Sequence, residues 1–96
     1  MSSAPKEGVV LVGNKPPMNY VLAIVIQFQQ GCDRVVIKAR GSAIKRAIDA
    51  ALLTRDKFLK GQIDIEKVSI NSETVGEPGK QRTVSTIEIV LTRKKE

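Results

Sequence analysis

Arg34-Val-Val-Ile-Lys-Ala-Arg-Gly-Ser-Ala-Ile-Lys-Arg46 is the stretch on which the fold turns. Its first part is β-branched, bounded by turn residues, and reads as a strand. Gly41-Ser42 then turns the chain, with Ser42 in the place of an N-cap. Ile44, Ala47, Ile48, Ala51 and Leu52 follow at helical spacing, a periodicity that continues to Phe58 or Leu59 before Gly61. Five residues between Arg34 and Arg46 are basic and none is acidic. Cations therefore stand beside the amides of a helix start, which already favour anions. The combination predicts a surface that holds phosphates and makes nucleic acid the first partner to consider.

Upstream, Val9-Val-Leu-Val12 is too short for a helix and reads as a buried strand ended by Gly13-Asn14. Lys15-Pro16-Pro17 breaks it, and proline suits a first helical turn. Met18, Val21, Leu22, Val25 and Phe28 recur at helical spacing up to Gln30, and Gly31 ends the helix. Tyr20, Ala23, Ile24 and Ile26 are apolar too, which predicts a helix covered on more than one side.

Downstream, Lys45 and Asp49 are four apart and can pair on the solvated side of the second helix. Residues 62–75 read as a strand in which Ile63 and Ile65 alternate in one phase and Val68 and Ile70 in the other. That slip predicts a bulge near Glu66-Lys67. Gly76-Glu-Pro-Gly-Lys-Gln-Arg82 is a turn cluster. Thr83–Arg93 is a last strand with Ile87, Ile89 and Leu91 on one face, followed by a charged tail expected to be loose. Residues 1–7 read as a flexible segment and 8–96 as one domain. The order strand, helix, strand, helix, strand, strand predicts an α/β fold. It has a mixed four-stranded sheet, a right-handed parallel crossover, both helices on one face and a long terminal hairpin.

Composition bounds the rest. The chain has 96 residues, 42% of them apolar and 27% charged, which is globular usage. Its net charge is +6 and its pI about 9.8, which favours polyanionic partners. A core this small gains from pairing with a second copy. Cys32 is the only cysteine and there is no histidine, so the usual zinc sites and His-dependent nucleophilic triads are excluded. No Walker A loop or G-x-G-x-x-G occurs, and the ten carboxylates nominate no acid/base pair. No cofactor is implied, and the chain does not read as an enzyme. Its longest wholly apolar run, Tyr20–Ile26, is far below the roughly 20 residues of a membrane-spanning helix. The reading is a cytoplasmic protein with no membrane partner.

The basic residues fall into groups, each with two readings. Lys15, beside Asn14 in the first loop, contacts a phosphate or is a solvated lysine. Lys38 and Arg40 share one face of the second strand. They clamp an anion, Arg40 as a planar fork and Lys38 as a point charge, or they pair with acids across the sheet such as Asp64 or Glu88. Lys45 and Arg46, in the first turn of the second helix, oppose its dipole unless an anion offsets them; otherwise they are rim charges. Lys80 and Arg82 in the hairpin tip form a mobile arm suited to a narrow minor groove, or guard the edge against aggregation. Aromatic residues are too few for a base-stacking platform. Phe58, near a helix end, makes a protein contact or sits in the core.

Four segments carry a resemblance that spans Val9 to Lys94. They are Gly13-Asn-Lys-Pro-Pro-Met-Asn-Tyr-Val21, Val36-Ile-Lys-Ala-Arg-Gly-Ser-Ala-Ile44, Arg55-Asp-Lys-Phe-Leu59 and Val84-Ser-Thr-Ile-Glu-Ile89. In this order and spacing they resemble the Alba family of small basic chromatin and RNA-binding proteins, best known from archaea. The resemblance implies a compact α/β fold shared with the C-terminal domain of a bacterial translation initiation factor. It implies a homodimer that binds double-stranded DNA and RNA with little sequence preference and is associated with the chromosome (nucleoid). Lys15 then matches the family's nucleic-acid-contacting lysine before the proline step, and Lys38 and Arg40 its strand cations. Lys80 and Arg82 match its hairpin arms along the minor groove. Phe58 matches its dimer–dimer contact along DNA.

Two positions depart from the pattern. Asn14 stands where a regulated lysine is common, which puts acetylation control there in doubt. Ser42 stands where many relatives are basic, which either weakens the body site or shifts its weight to Lys45 and Arg46. The alternative function is an RNA-binding subunit of a ribonucleoprotein or an RNA-stabilising factor, and the partner copy is the chain itself or a paralogue.

Overall fold

A computed structural model describes residues 6–94. Strand β1 (Glu7–Leu11) leads through a short loop to helix α1 (Pro17–Gln29), then strand β2 (Arg34–Arg40) and helix α2 (Ile44–Leu53). Two long strands close the chain, β3 (Ile63–Val75) and β4 (Arg82–Arg93). The sheet order is β1-β2-β4-β3. β1 and β2 are parallel and the other pairs antiparallel. This is the β-α-β-α-β-β fold with a mixed sheet that the sequence predicts.

The core lies between the sheet and the two helices. Val10 and Val12, Val35, Ile37 and Ala39, and Ile87, Ile89 and Leu91 alternate toward the helix side and are buried. They meet Tyr20, Val21, Ile24 and Phe28 of α1 and Ala47, Ala50 and Ala51 of α2. Each large side chain fully buried here contributes about 1.5–3 kcal/mol. The buried stripe of α2 is made of alanines, while Ile48 and Leu52, expected in the core, flank it at 37% and 36% exposure. The other sheet face carries no helix. It presents Val9, Leu11, Lys38, Arg40 and Glu88 to solvent.

Two expectations need correction and one holds in part. α1 is covered by the sheet on one side and by α2 on another, but not on its outer face. Met18, Leu22 and Ile26, at i, i+4 and i+8, are 42–56% exposed, because both helices share one sheet face and none lies above α1. Ser42 is not an N-cap. An N-cap residue needs extended backbone, and that conformation belongs to Arg40 (φ −144°, ψ 155°). Gly41–Ala43 forms a 3₁₀ turn, and α2 starts behind Ala43 with no side-chain cap bond. Gly41 enters that turn at φ +59°, where a side chain is disfavoured.

Third, the chain past Thr92 is anchored rather than loose up to Lys94. Arg93 Nη2 donates to the carbonyls of Phe28 and Cys32, and its guanidinium lies 5.5 Å from the Phe28 ring centroid. Lys94 N donates to Gln62 O at 2.9 Å. The expected flexible segment 1–7 falls mostly outside the described residues. Within them Glu7 is already paired with Arg34 in β1.

The predicted bulge is present, with the β3–β4 register shifting between Ile65 and Lys67. It restores phase. Ile65, Val68 and Ile70 stand opposite Leu91, Ile89 and Ile87, so all three lie on the helix side of the sheet. Ile65 packs against the core, whereas Val68 and Ile70 are 53% and 80% exposed, because β3 is the edge strand and the helices cover its neighbours instead.

Candidate nucleic-acid interface

β1 and β2 end side by side. Leu11 pairs with Lys38, and Val12 N donates to Lys38 O at 2.9 Å. The loop with Asn14 and Lys15 and the turn after Arg40 therefore leave the sheet at the same end. β4 runs antiparallel to β2, with Thr86 opposite Arg40, so the hairpin between β3 and β4 also projects from that end. From Thr86 back to Arg82 the hairpin reaches about 13 Å beyond Arg40 at ~3.4 Å per residue. It is a two-stranded ribbon there, closed by a turn in which Lys80 N donates to Glu77 O at 2.9 Å. Gly76 turns the ribbon at φ +107°, and a Cβ there would meet the Lys80 carbonyl at 2.7 Å.

The predicted cations differ in how free they are. Asn14, Lys15, Lys38, Arg40, Ser42, Lys45, Lys80 and Arg82 are exposed. Lys38 and Arg40 line a shallow depression on the open face with Leu11, Glu73, Thr86 and Glu88. Arg40 Nη1 donates to Glu73 Oε1 at 2.5 Å. Its acidic partner is therefore Glu73, neither Asp64 nor Glu88. Asp64 lies 3.8 Å from Lys94 Nζ, and Glu88 stands opposite Lys38. Lys45 pairs with Asp49 at 2.9 Å, as its spacing predicts. Arg46 is half-buried and donates Nη1 to the carbonyl of Gly13, which ties α2 to the first loop.

Phe58 closes the wide, π-helical turn Thr54–Phe58 that follows α2, and is 48% exposed rather than in the core. Thr54, fully buried, donates Oγ1 to Ala50 O at 2.7 Å at the start of that turn. Beside Phe58, the Arg55 guanidinium bonds to the Asp56 carboxylate at 2.7 Å and holds it below the usual carboxylate range.

Sequence reading missed two residues at this end of the sheet. Glu73 lies far along the chain from Arg40, and only the bulged register brings it onto the same face. Tyr20 reads as a core residue by spacing and is buried, yet its Oη accepts from both Gly13 N (2.9 Å) and Lys15 N (3.0 Å). A signal for it exists. Helical side chains lean toward the N-terminus, so a tyrosine in the first turn of α1 reaches the preceding loop.

Among the described residues no three His, Cys, Asp or Glu side chains gather as a metal-ligand set, and no helix is long and apolar enough to cross a membrane.

The Alba family model matches residues 8–72. "DNA/RNA-binding protein Alba" of Nanoarchaeum equitans is 54% identical over 87 residues, covering 88% of this chain and 97% of that one. The protein of the same name from Methanocella arvoryzae is 49% identical over 90 residues, covering 93% of each. The solved structure of Alba from Thermoplasma volcanium superposes with a TM-score of 0.83 at 42% identity, covering 90% of this chain and all of that one. With this element order and this extent of identity, the chain belongs to the Alba family.

Proposed function

We propose that this protein is a dimeric architectural chromatin protein. It coats double-stranded DNA, and RNA, with little sequence preference, through phosphate contacts made by Lys15, Lys38, Arg40 and the Ser42–Arg46 segment. The hairpin arms carrying Lys80 and Arg82 run along the minor groove. The protein works in the cytoplasm on the chromosome, without catalysis. The observation that carries this reading is that the basic loop, the basic strand end and the basic hairpin tip all leave the sheet at one end. The names of relatives about half identical to it, which bind DNA and RNA, support the same conclusion.

Pairing of two copies is supported by Val68 and Ile70, apolar and exposed on the helix side of β3. Two such faces would cover one another. Phe58, exposed beyond α2, is the proposed contact between neighbouring dimers on DNA.

Charge reversal tests the reading. Lys15→Glu and Arg40→Glu each weaken binding to duplexes of unrelated sequence by the same factor, measured by fluorescence anisotropy. A loss confined to particular sequences would mean base readout instead. Competition between duplex DNA and structured RNA separates a chromatin protein from a ribonucleoprotein subunit.

A further inference from the structure

The first loop is held in place by bonds from within the fold. Val12 N is bonded to β2, Gly13 N and Lys15 N converge on one phenol oxygen, and the Gly13 carbonyl accepts from Arg46. On its far side Pro16 is extended (φ −59°, ψ 151°), and its carbonyl accepts from Asn19 N at 3.0 Å. Two nearby amides pointing at one oxygen form a concavity of the kind that binds anions elsewhere. Here the concavity is already filled by Tyr20 Oη. The backbone of this loop therefore has no amide at 13 or 15 to give a phosphate, and the charged contact it offers is the Lys15 side chain.

We propose that Tyr20 is a positioning residue for nucleic-acid binding: its hydroxyl orders the Gly13–Lys15 loop before the ligand arrives, so that Lys15 meets a phosphate without further cost of ordering its backbone. This rests on the proposed Lys15–phosphate contact. Tyr20 is buried to 9% exposure, so its oxygen reaches the two amides from inside the fold rather than from solvent. Arg46, read from sequence as a phosphate contact, acts from the other side of the same loop. Losing the order of one backbone residue weakens binding about tenfold per loop.

Tyr20→Phe keeps the ring and removes the acceptor. In anisotropy titrations with a DNA duplex, Tyr20→Phe weakens binding about tenfold for each loop engaged, about a hundredfold for a dimer. Lys15→Ala then costs much less in the Tyr20→Phe background than in the native one. A role confined to overall stability leaves the two losses additive, because it acts equally on chains with and without Lys15. Additive losses, or native affinity for folded Tyr20→Phe, overturn the proposal. If Lys15→Ala binds like the native chain, the Lys15 contact itself is wrong, which is a separate failure.

Amide hydrogen exchange on the native chain gives a second reading that needs no variant. The amides of Gly13 and Lys15 exchange slowly in the free protein and are unchanged by added DNA. Fast exchange that slows only when DNA is added overturns the proposal.

Discussion

Arg40 carries two competing interactions. Its guanidinium is the planar fork suited to phosphate, and Glu73 occupies one edge of it at 2.5 Å. Both side chains are about half exposed or more, so the ion pair contributes no more than about 1 kcal/mol. A phosphate that takes Arg40 must displace the carboxylate. Glu73→Gln therefore raises affinity for duplex DNA at 50 mM salt, by up to about fivefold; unchanged or weaker binding in an anisotropy titration refutes this competition. At this scale the sequence is legible for single residues and poor for partners. Lys45 and Asp49 pair as their spacing requires, since both lie on one helix. Arg40 with Glu73, and Tyr20 with the Gly13 and Lys15 amides, are joined by tertiary geometry that no local pattern encodes.

The order of elements follows from apolar periodicity, and so does the bulge, because two alternating phases in one strand need an extra residue to share a face. What periodicity leaves out is which part of a face is covered. Val68 and Ile70 have the same orientation as Ile65, and only the place of β3 at the sheet edge, beside the helices rather than under them, exposes them. The Ser42 cap fails for a similar reason, since a 3₁₀ turn between strand and helix leaves no periodic trace. The bulge gives a direct test. Deleting Glu66 removes the extra residue and leaves Ile63, Ile65, Val68 and Ile70 in one unbroken alternation, each against its native partner on β4. The isoleucines keep their burial, and the loss is confined to the exposed Arg34–Glu66 ion pair, no more than about 1 kcal/mol. A urea melt of the deletion variant shows a midpoint close to native; a markedly lower midpoint means the bulge does more than restore phase.

For the whole molecule, the sheet end with its basic loops and ribbon has one role, and the apolar surfaces of β3 and the π-helical turn have another. Ile70→Asp leaves the fold intact, because the side chain is 80% exposed. In sedimentation velocity it yields monomers, where the native chain is expected to run as a dimer. Phe58→Ala keeps the dimer and removes cooperative coating of long DNA. A dimeric Ile70→Asp chain, or unaltered cooperativity with Phe58→Ala, rejects the corresponding contact. The proposed pairing has no signal in the sequence beyond the family resemblance, since exposed isoleucine and valine in a strand read the same as buried ones.

Phosphate recognition by this end of the sheet is the central claim, and salt dependence measures it most directly. A dimer that neutralises about six to ten phosphates releases as many counterions. Its affinity for matched DNA and RNA duplexes then falls about a thousandfold or more between 50 and 200 mM salt. An affinity that stays flat across that range contradicts the account.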